Sequence, residues 1–259
     1  MKFNPGFNIE YKSNPLGFVY GEGVFGPQIE NRLINDIRES LIDSNCSGPE
    51  IVYTIAMDVG KIKDRDEMIN KNLLYGAVTY SKGKMGKEPV RSQGHIHSVS
   101  SSSGTSTPEL YEIWDGTAIV YMQETAKDNP KRCYAVYAEA GEVVLVPPNW
   151  AHCTINANPL KNMTFGAWCV RDYGFDYEDV RKHKGVAWFP ILEEDNKINW
   201  VHNSKYISGK LIEKSPRSYT EFNLQKDVSI YTQFEKDPNK FLFISKPYEF
   251  GVSWDNFTP

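Results

Sequence analysis

The chain has 259 residues, which suits one large β domain or one domain with extensions. Its 29 Lys and Arg residues nearly balance 33 Asp and Glu residues, and no basic block or basic–aromatic stripe occurs. This pattern argues against a nucleic-acid partner, and the apolar runs are far shorter than the ~20 residues that span a bilayer. The N-terminal residues show no apolar secretory segment, and the four cysteines form no Cys-x-x-Cys pair. We therefore expect a cytoplasmic protein with buried, reduced thiols.

The N-terminal part divides into an arm and a helix. Residues 1–26 are rich in Gly, Pro, Asn and aromatic residues, which predicts an irregular or strand-like arm. From Pro27 onward, apolar residues recur at helical spacing with polar residues between them. This periodicity predicts a helix over roughly residues 27–43, with its apolar stripe against the outside of a sheet.

Short segments rich in β-branched and aromatic residues follow, separated by Gly, Asp, Asn and Pro. They cover residues 51–57, 73–80, 115–124, 131–138, 143–147 and 163–170. Many short strands with regular turns favour an antiparallel sandwich or barrel.

The rest of the chain has weaker signals. Residues 171–185 read as a loop followed by a short helix, and residues 186–205 as two strands around a turn. Beyond them, weak strand signals occur at 228–231 and 241–244. We expect three parts: an arm with a helix (1–48), a barrel (49–205), and an extension (206–259) that packs on the barrel or on a partner subunit.

Three histidines and one glutamate form a candidate metal site. His95 and His97 are two residues apart, so both side chains project from one face of a strand. Glu109 begins a strand-like segment that ends at an Asp-Gly turn, and His152 follows a Pro-Pro turn. Three imidazoles and one carboxylate suit one divalent Fe, Mn, Ni, Co or Zn ion per chain. The alternative interpretation is a polar patch of hydrogen-bonded histidines without a metal.

Neighbouring residues are assigned other roles. Cys153 follows His152 directly and should point to the opposite face of its strand, away from an ion. His183 and His202 lie outside the three segments and are interpreted as surface or structural residues.

The longest motif runs from Val146 to Asn156, Val-Pro-Pro-Asn-Trp-Ala-His-Cys-Thr-Ile-Asn, within a segment that begins at Gly141. It resembles the second cupin motif, with Asn149 at the position of a turn glycine. Together with Gly94-His-Ile-His97 and Pro108-Glu-Leu-Tyr111, it is similar to the cupin-type phosphoglucose isomerases. The resemblance covers roughly residues 50–200. It implies an all-β cupin barrel, an antiparallel double-stranded β-helix or jelly roll, with an N-terminal helix and a C-terminal extension.

The resemblance also implies residue roles. His95, His97, Glu109 and His152 would be the metal ligands. Tyr111 and Tyr177 would contact a sugar, and the phosphate would lie near Thr79, Ser92 and Gly94. The loop residues Lys84, Lys87 and Arg91 complete a plausible phosphate cradle by their charge.

This chain departs from the family in two places. A serine-rich insertion, 98–107, separates His97 from Glu109 and is expected at the mouth of the site. The late tyrosine of the family is not evident, and Trp168 or Cys169 stands near its position. Both changes bear on which sugar fits, and Glu109 is the ligand that depends most on how the insertion folds.

The implied reaction is the interconversion of glucose 6-phosphate and fructose 6-phosphate, a step of glycolysis and gluconeogenesis, by a homodimer. Glu109 and Tyr111 are the candidate catalytic residues, with Glu109 as a base if proton transfer is used. A hydride shift would need no base, and both routes stay open. Two other functions remain possible from the sequence: another metal-dependent cupin enzyme, such as an isomerase, epimerase or Fe(II) dioxygenase, and a non-catalytic sugar-binding cupin.

Overall fold

Twenty strands and five short α-helices make up the computed structural model, in which residues 3–207, 209–250 and 254–259 are described. The strands are β1 Ile9–Ser13, β2 Leu16–Tyr20, β3 Val24–Phe25, β4 Glu30–Leu33, β5 Ile51–Met57, β6 Gly60–Lys61, β7 Leu73–Tyr80, β8 Lys84–Met85, β9 Glu88–Pro89, β10 Ile96–His97, β11 Glu109–Asp115, β12 Thr117–Gln123, β13 Cys133–Glu139, β14 Val143–Val146, β15 Ala151–Asn156, β16 Met163–Val170, β17 Phe175–Asp176, β18 Trp188–Leu192, β19 Ile198–His202 and β20 Leu211–Lys214. The helices are α1 Ile34–Ile37, α2 Arg65–Asn70, α3 Glu178–Lys182, α4 Ile230–Lys236 and α5 Leu242–Ser245. Five 3-10 turns accompany them, at Arg38–Ser40, Ile62–Asp64, Thr220–Phe222, Pro238–Phe241 and Trp254–Asn256.

Two facing sheets form the barrel. The larger has the order β14-β11-β16-β7-β5-β4, and the smaller has the order β15-β12-β13-β20. All neighbouring pairs are antiparallel except β13 and β20, which are parallel. This arrangement confirms the predicted all-β cupin barrel.

Alternation of side chains along the strands separates the barrel interior from its outer faces. On β12, Val120 and Met122 point into the core between the sheets, whereas Ile119 and Tyr121 pack on the outside. On β16, Phe165 points inward and Trp168 points outward. The period of two that defines a strand therefore sends each apolar residue to one of two buried faces.

The predicted helix over residues 27–43 is wrong over half of its length. Residues 30–33 are strand β4, which pairs with β5 at the edge of the larger sheet. Helical structure begins only at Ile34 and continues as a 3-10 turn to Ser40. Ile34 and Ile37 pack in the barrel core and not against the outside of a sheet. Strand β4 supplies backbone hydrogen-bond partners to the otherwise unpaired edge of β5. This tertiary pairing outweighs the local helical periodicity.

Of the other regions with weak secondary-structure predictions, some agree with the structure and some do not. The arm contains strands β1 to β3, the segment 171–185 contains a loop and helix α3, and β18 and β19 are the two expected strands. The expected strands at 228–231 and 241–244 are wrong, because α4 starts at Ile230 and residues 238–245 form a 3-10 turn and α5. Ser229 caps α4 by accepting a hydrogen bond from the Thr232 N–H at 3.1 Å.

The extension packs on the outer face of the larger sheet. The Trp168 ring lies 4.4 Å from the Phe234 ring and 5.5 Å from the Phe241 ring. Its indole N–H donates to the carbonyl oxygen of Ile230 at 3.3 Å. The boundaries proposed above, 1–48, 49–205 and 206–259, remain a prediction about domain organisation.

Replacing Trp168 with alanine is expected to lower the free energy of unfolding by about 3–5 kcal/mol, because a fully buried indole is lost and a cavity remains. Urea unfolding measures the change. Trp200→Ala is the control, since Trp200 is only half-buried, and its cost should be clearly smaller. Equal costs for both variants would contradict the docking of the extension through Trp168.

Glu112 is a buried carboxyl group on the same outer face, where it accepts the Ile230 N–H at 2.8 Å. Burial raises the pKa of Glu112 to about 8, an increase that the Ile230 N–H partly offsets. The folded state therefore binds more protons than the unfolded state between pH 4.5 and about 8. In this window the free energy of unfolding should fall with rising pH, by up to ~1.4 kcal/mol per unit.

The variant Glu112→Gln should remove this part of the pH dependence, because the amide keeps the shape and does not titrate. Urea unfolding of both proteins at pH 5.5 and at pH 8 measures the difference. Identical pH slopes for the wild type and the variant would show that Glu112 does not titrate in this way.

All four cysteines are free and buried, as predicted. Across the described ranges, no helix is long and apolar enough to cross a membrane.

Candidate metal centre

The four predicted ligands reach the barrel interior from three segments of backbone. His152 lies on β15 and faces inward, whereas Cys153 joins the buried cluster on the outer face. His95 forms an isolated bridge with His152, and each backbone N–H donates to the other's carbonyl oxygen, at 3.0 and 2.9 Å. His97 ends β10, and Glu109 begins β11.

The side chains converge on one point. The ligand atoms of His95, His97, Glu109 and His152 all lie within 4.8 Å of one another. Oε2 of Glu109 is 3.2 Å from Nε2 of His97 and 3.3 Å from Nε2 of His152. Two ligands on opposite sides of an ion with bonds of about 2.1 Å are about 4.2 Å apart. The four side chains therefore have the spacing of a coordination shell and need only a small contraction around an ion.

Backbone carbonyl groups orient two of the imidazoles. Nδ1 of His97 lies 2.9 Å from the carbonyl oxygen of Thr107, and Nδ1 of His152 lies 3.1 Å from that of Trp150. An Nδ1–H that donates to a carbonyl leaves Nε2 as the unprotonated nitrogen, which is the form that binds metal. Nε2 of His95 is buried and has no hydrogen-bond partner. This unpartnered atom fits a metal ligand better than a polar patch of hydrogen-bonded histidines.

The electrostatics of the cluster also suit a cation. Burial lowers the pKa of His95 well below its ordinary value, and the neighbouring His152 and His97 lower it further. Burial alone would raise the pKa of Glu109, but the close approach of the His152 and His97 imidazoles to its carboxylate outweighs burial and holds that pKa well below its ordinary value. His95 is therefore neutral and Glu109 ionised at neutral pH, the protonation states required for metal binding.

Two further side chains hold the Glu109 carboxylate. The Tyr111 hydroxyl donates to Oε2 at 2.6 Å, and the Cys169 thiol donates to Oε1 at 3.2 Å. Cys169 is thus the inward-facing residue near the position of the family's late tyrosine, whereas Trp168 faces the extension.

The serine-rich insertion closes beside the site and does not keep Glu109 away from it. Asp172 accepts hydrogen bonds from Ser100 Oγ at 2.9 Å and from the Ser102 N–H at 2.9 Å. Burial would raise the pKa of Asp172, but these and neighbouring hydrogen bonds outweigh it and hold the pKa below its ordinary value. Asp172 therefore acts as an ionised anchor for the loop. The loop ends at Thr107, whose carbonyl orients His97.

An open cavity, lined by His95, Glu109 and His152 of the four candidate ligands, leads to the surface. Of the residues expected to bind substrate, Tyr111, Ser92 and Tyr177 line it. Gly94 lies between the lining residues Gln93 and His95 with φ of 95°, and a Cβ there would lie 2.9 Å from Val186. Glycine is therefore needed for this close approach of backbone.

The remaining predicted contacts do not lie in the cavity. Thr79 points to the opposite face of the larger sheet, where its hydroxyl is 2.9 Å from that of Thr164. Lys84 and Lys87 are exposed on the β8–β9 hairpin and do not line the cavity. Arg91 is fully buried, donates to Glu88 at 2.6 Å and to the carbonyl oxygen of Ser40 at 2.6 Å, and is committed to these partners.

The two histidines outside the motifs have different surroundings. His183 is buried and structural, with Nδ1 2.7 Å from the carbonyl oxygen of Asp179 and Nε2 3.0 Å from Asp128. His202 is half-buried, and its ring lies 5.1 Å from that of Trp188.

Several cavity residues were not predicted from the sequence. They come from β4, from the next two strands of the larger sheet, β5 and β7, and from the segment 173–175 after β16: Glu30, Arg32, Tyr53, Tyr80, Tyr173 and Phe175. The alternation of side chains along β5 could have identified Tyr53 as a residue that faces the barrel interior. Arg32 had no such signal, because its segment was expected to be helical.

These features define a cupin barrel with a candidate metal centre at the base of an open cavity. Residues 38–208 match the sequence model of the family described as Glucose-6-phosphate isomerase (GPI). The chain therefore belongs to the glucose-6-phosphate isomerase family of enzymes, as its motifs predicted.

Individual relatives agree with this assignment. A glucose-6-phosphate isomerase of Thermococcus onnurineus is 30% identical over 206 residues, which cover 76% of this chain and 99% of that protein. One of Thermococcus litoralis is 27% identical and covers 68% of this chain and 86% of its own length. Among solved structures, an oxalate oxidase is 13% identical with a TM-score of 0.36 over 48% of this chain and 54% of that chain.

Proposed function

We propose that the chain interconverts glucose 6-phosphate and fructose 6-phosphate in a metal-dependent reaction at this cavity. The observation that carries the proposal is the convergence of His95, His97, Glu109 and His152 at its base, within 4.8 Å of one another. Membership of the family supports the sugar phosphate as substrate. A cytoplasmic homodimer, as expected from the sequence, belongs to the same proposal.

A divalent ion held by these four side chains would polarise the substrate carbonyl as a Lewis acid and stabilise the developing negative charge. Tyr111 lies beside Glu109, and its hydroxyl is 2.6 Å from Oε2, so it holds the carboxylate and can also meet a sugar oxygen. The other carboxylate oxygen, Oε1, accepts a hydrogen bond from the Cys169 thiol, which is a weak donor. Glu109 is the group placed to act as a base if proton transfer is used, with one oxygen directed at the histidines and the other held less tightly, and its lowered pKa weakens it in that role.

Other residues would shape the space around the sugar. Phe175 packs against His95 with 4.3 Å between ring centroids, and its loop partner Tyr177 lies 5.8 Å from the same imidazole. These aromatic rings cover one side of the ligand cluster and limit the access of water to it. Such exclusion strengthens electrostatic interactions at the reacting carbonyl.

The test is a coupled assay in which fructose 6-phosphate is converted to glucose 6-phosphate and then oxidised. The protein is first stripped with a chelator and then reloaded with Fe(II), Mn(II), Ni(II), Co(II) or Zn(II). We expect turnover with at least one ion and its loss after stripping. Absence of turnover with every ion would contradict the proposed reaction.

A further inference from the structure

Arg32 is the one lysine or arginine among the cavity-lining residues in the part of the chain that the structure describes. The other charged side chains of the lining are Glu30 at the mouth and Glu109 at the base. A phosphate ester carries close to two negative charges at neutral pH. The cavity therefore has a single fixed positive charge with which to meet such a group.

Strand β4 places this arginine. Arg32 is opposite Tyr53 in the antiparallel pair of β4 and β5, and Asn31, on the other face, is opposite Thr54. Arg32 and Glu30 therefore share the face that looks into the cavity. This part of the chain precedes residues 38–208, which the family match covers.

Glu30 does not neutralise Arg32. The closest approach of the two side chains is 3.7 Å, and the Glu30 side chain is 69% exposed whereas that of Arg32 is 32% exposed. An exposed ion pair of this kind contributes little, because water screens it. The guanidinium thus keeps donors available to a ligand.

Residues with hydroxyl groups line the cavity together with Arg32, among them Tyr53, Tyr80 and Ser92. The rings of Tyr53 and Tyr80 are stacked at 4.7 Å. Arg32 interacts electrostatically with both Tyr53 and Tyr177. One guanidinium with tyrosine hydroxyl groups nearby has the chemistry of a phosphate subsite.

The other cations near the cavity are engaged elsewhere. Arg181 lies behind the wall, where its Nε donates to Gln93 at 3.1 Å and its guanidinium covers the Tyr177 ring at 4.9 Å. Arg91 is buried in its ion pair with Glu88. Neither side chain is among the residues that line the cavity.

We propose that Arg32 binds the phosphate group of the substrate and sets the preference of the enzyme for phosphorylated over free sugars. The proposal rests on the proposed function for the identity of the substrate. Ser92 and the Tyr53 hydroxyl, which line the same cavity, complete the subsite.

The experiment compares wild type, Arg32→Gln, Arg32→Lys and the control Arg65→Gln, an exposed arginine on α2 that does not line the cavity. KM and kcat are measured for fructose 6-phosphate and for fructose, and the inhibition constant is measured for inorganic phosphate. Circular dichroism and thermal unfolding check that each variant is folded.

Arg32→Gln is expected to raise both KM for fructose 6-phosphate and the inhibition constant of phosphate by about 10- to 100-fold, the value of a charge-assisted contact. The preference in kcat/KM for fructose 6-phosphate over fructose should fall by a similar factor. Arg32→Lys should lie between the two, because it keeps the charge but loses the planar fork. Changes below twofold in a folded Arg32→Gln would overturn the proposal.

The two proposals fail in different ways. A wild-type protein without isomerase turnover contradicts the proposed function. Binding of inorganic phosphate, measured by calorimetry on wild type and Arg32→Gln, still decides the role of Arg32 in that case. Equal phosphate affinity in the two proteins overturns it, and weaker binding by the variant supports it.

Discussion

Replacing His152 with alanine is expected to lower metal affinity by more than about 100-fold and to abolish isomerase turnover. Loss of a residue that only orients a ligand already costs about 10- to 100-fold in affinity, and His152 would be a ligand itself. Its Nε2 lies 3.3 Å from Oε2 of Glu109, so its removal opens one side of the cluster. Metal content after dialysis, measured by mass spectrometry, and the coupled assay record the two effects.

Cys153→Ala is the matched control for this variant. Cys153 is the next residue on β15 and is equally buried, but it points into the outer cluster. It should retain metal and turnover. Metal bound at full occupancy in folded His152→Ala would contradict the role of His152 as a ligand.

Replacing Glu109 with glutamine is expected to lower kcat by about 10²- to 10⁴-fold, the contribution of a positioned acid–base group. The amide keeps the shape of the side chain but loses the negative charge that faces His97 and His152. Metal affinity should also fall, because a neutral amide oxygen is a weaker ligand than a carboxylate. Steady-state kinetics at saturating metal separate the loss of turnover from the loss of metal.

Glu112→Gln provides the control, since it is the same substitution on the same strand. Glu112 faces the extension, where it accepts the Ile230 N–H, and should have no direct effect on turnover. If both glutamine variants kept full kcat at saturating metal, Glu109 would not be the base. A metal-assisted hydride shift would then account for the chemistry.

The histidine cluster was predictable from the sequence because local rules determine its parts. A two-residue spacing puts His95 and His97 on one side of the backbone, and the long Val146–Asn156 motif marks His152. The alternation of β11 likewise puts Tyr111 beside Glu109. None of these inferences depends on which strands are neighbours.

The part of the cavity around Arg32 was less predictable because it depends on tertiary pairing. The segment around Arg32 has helical periodicity, but its backbone pairs with β5, which turns Arg32 into the cavity. Thr79 was expected near the phosphate, but its side chain points to the other face of the larger sheet. Its position on β7 is set by the same alternation that directs Val78 and Tyr80 inward, so its hydroxyl faces away from them.

The secondary structure of the extension could not be predicted, for a further reason. Short apolar runs such as residues 241–244 suit either a strand or a helical turn when taken alone. In the folded chain, Phe241 packs against Trp168, and its conformation follows from the shape of that outer face.

We propose that His95, His97, Glu109 and His152 hold one ion on which isomerisation depends. Stepwise addition of the activating metal to stripped protein, with turnover of fructose 6-phosphate followed at each step, measures this dependence. Activity should rise linearly and reach its plateau at one equivalent per chain in the wild type, with no rise in His152→Ala. Full turnover by the stripped protein in the presence of chelator would contradict it.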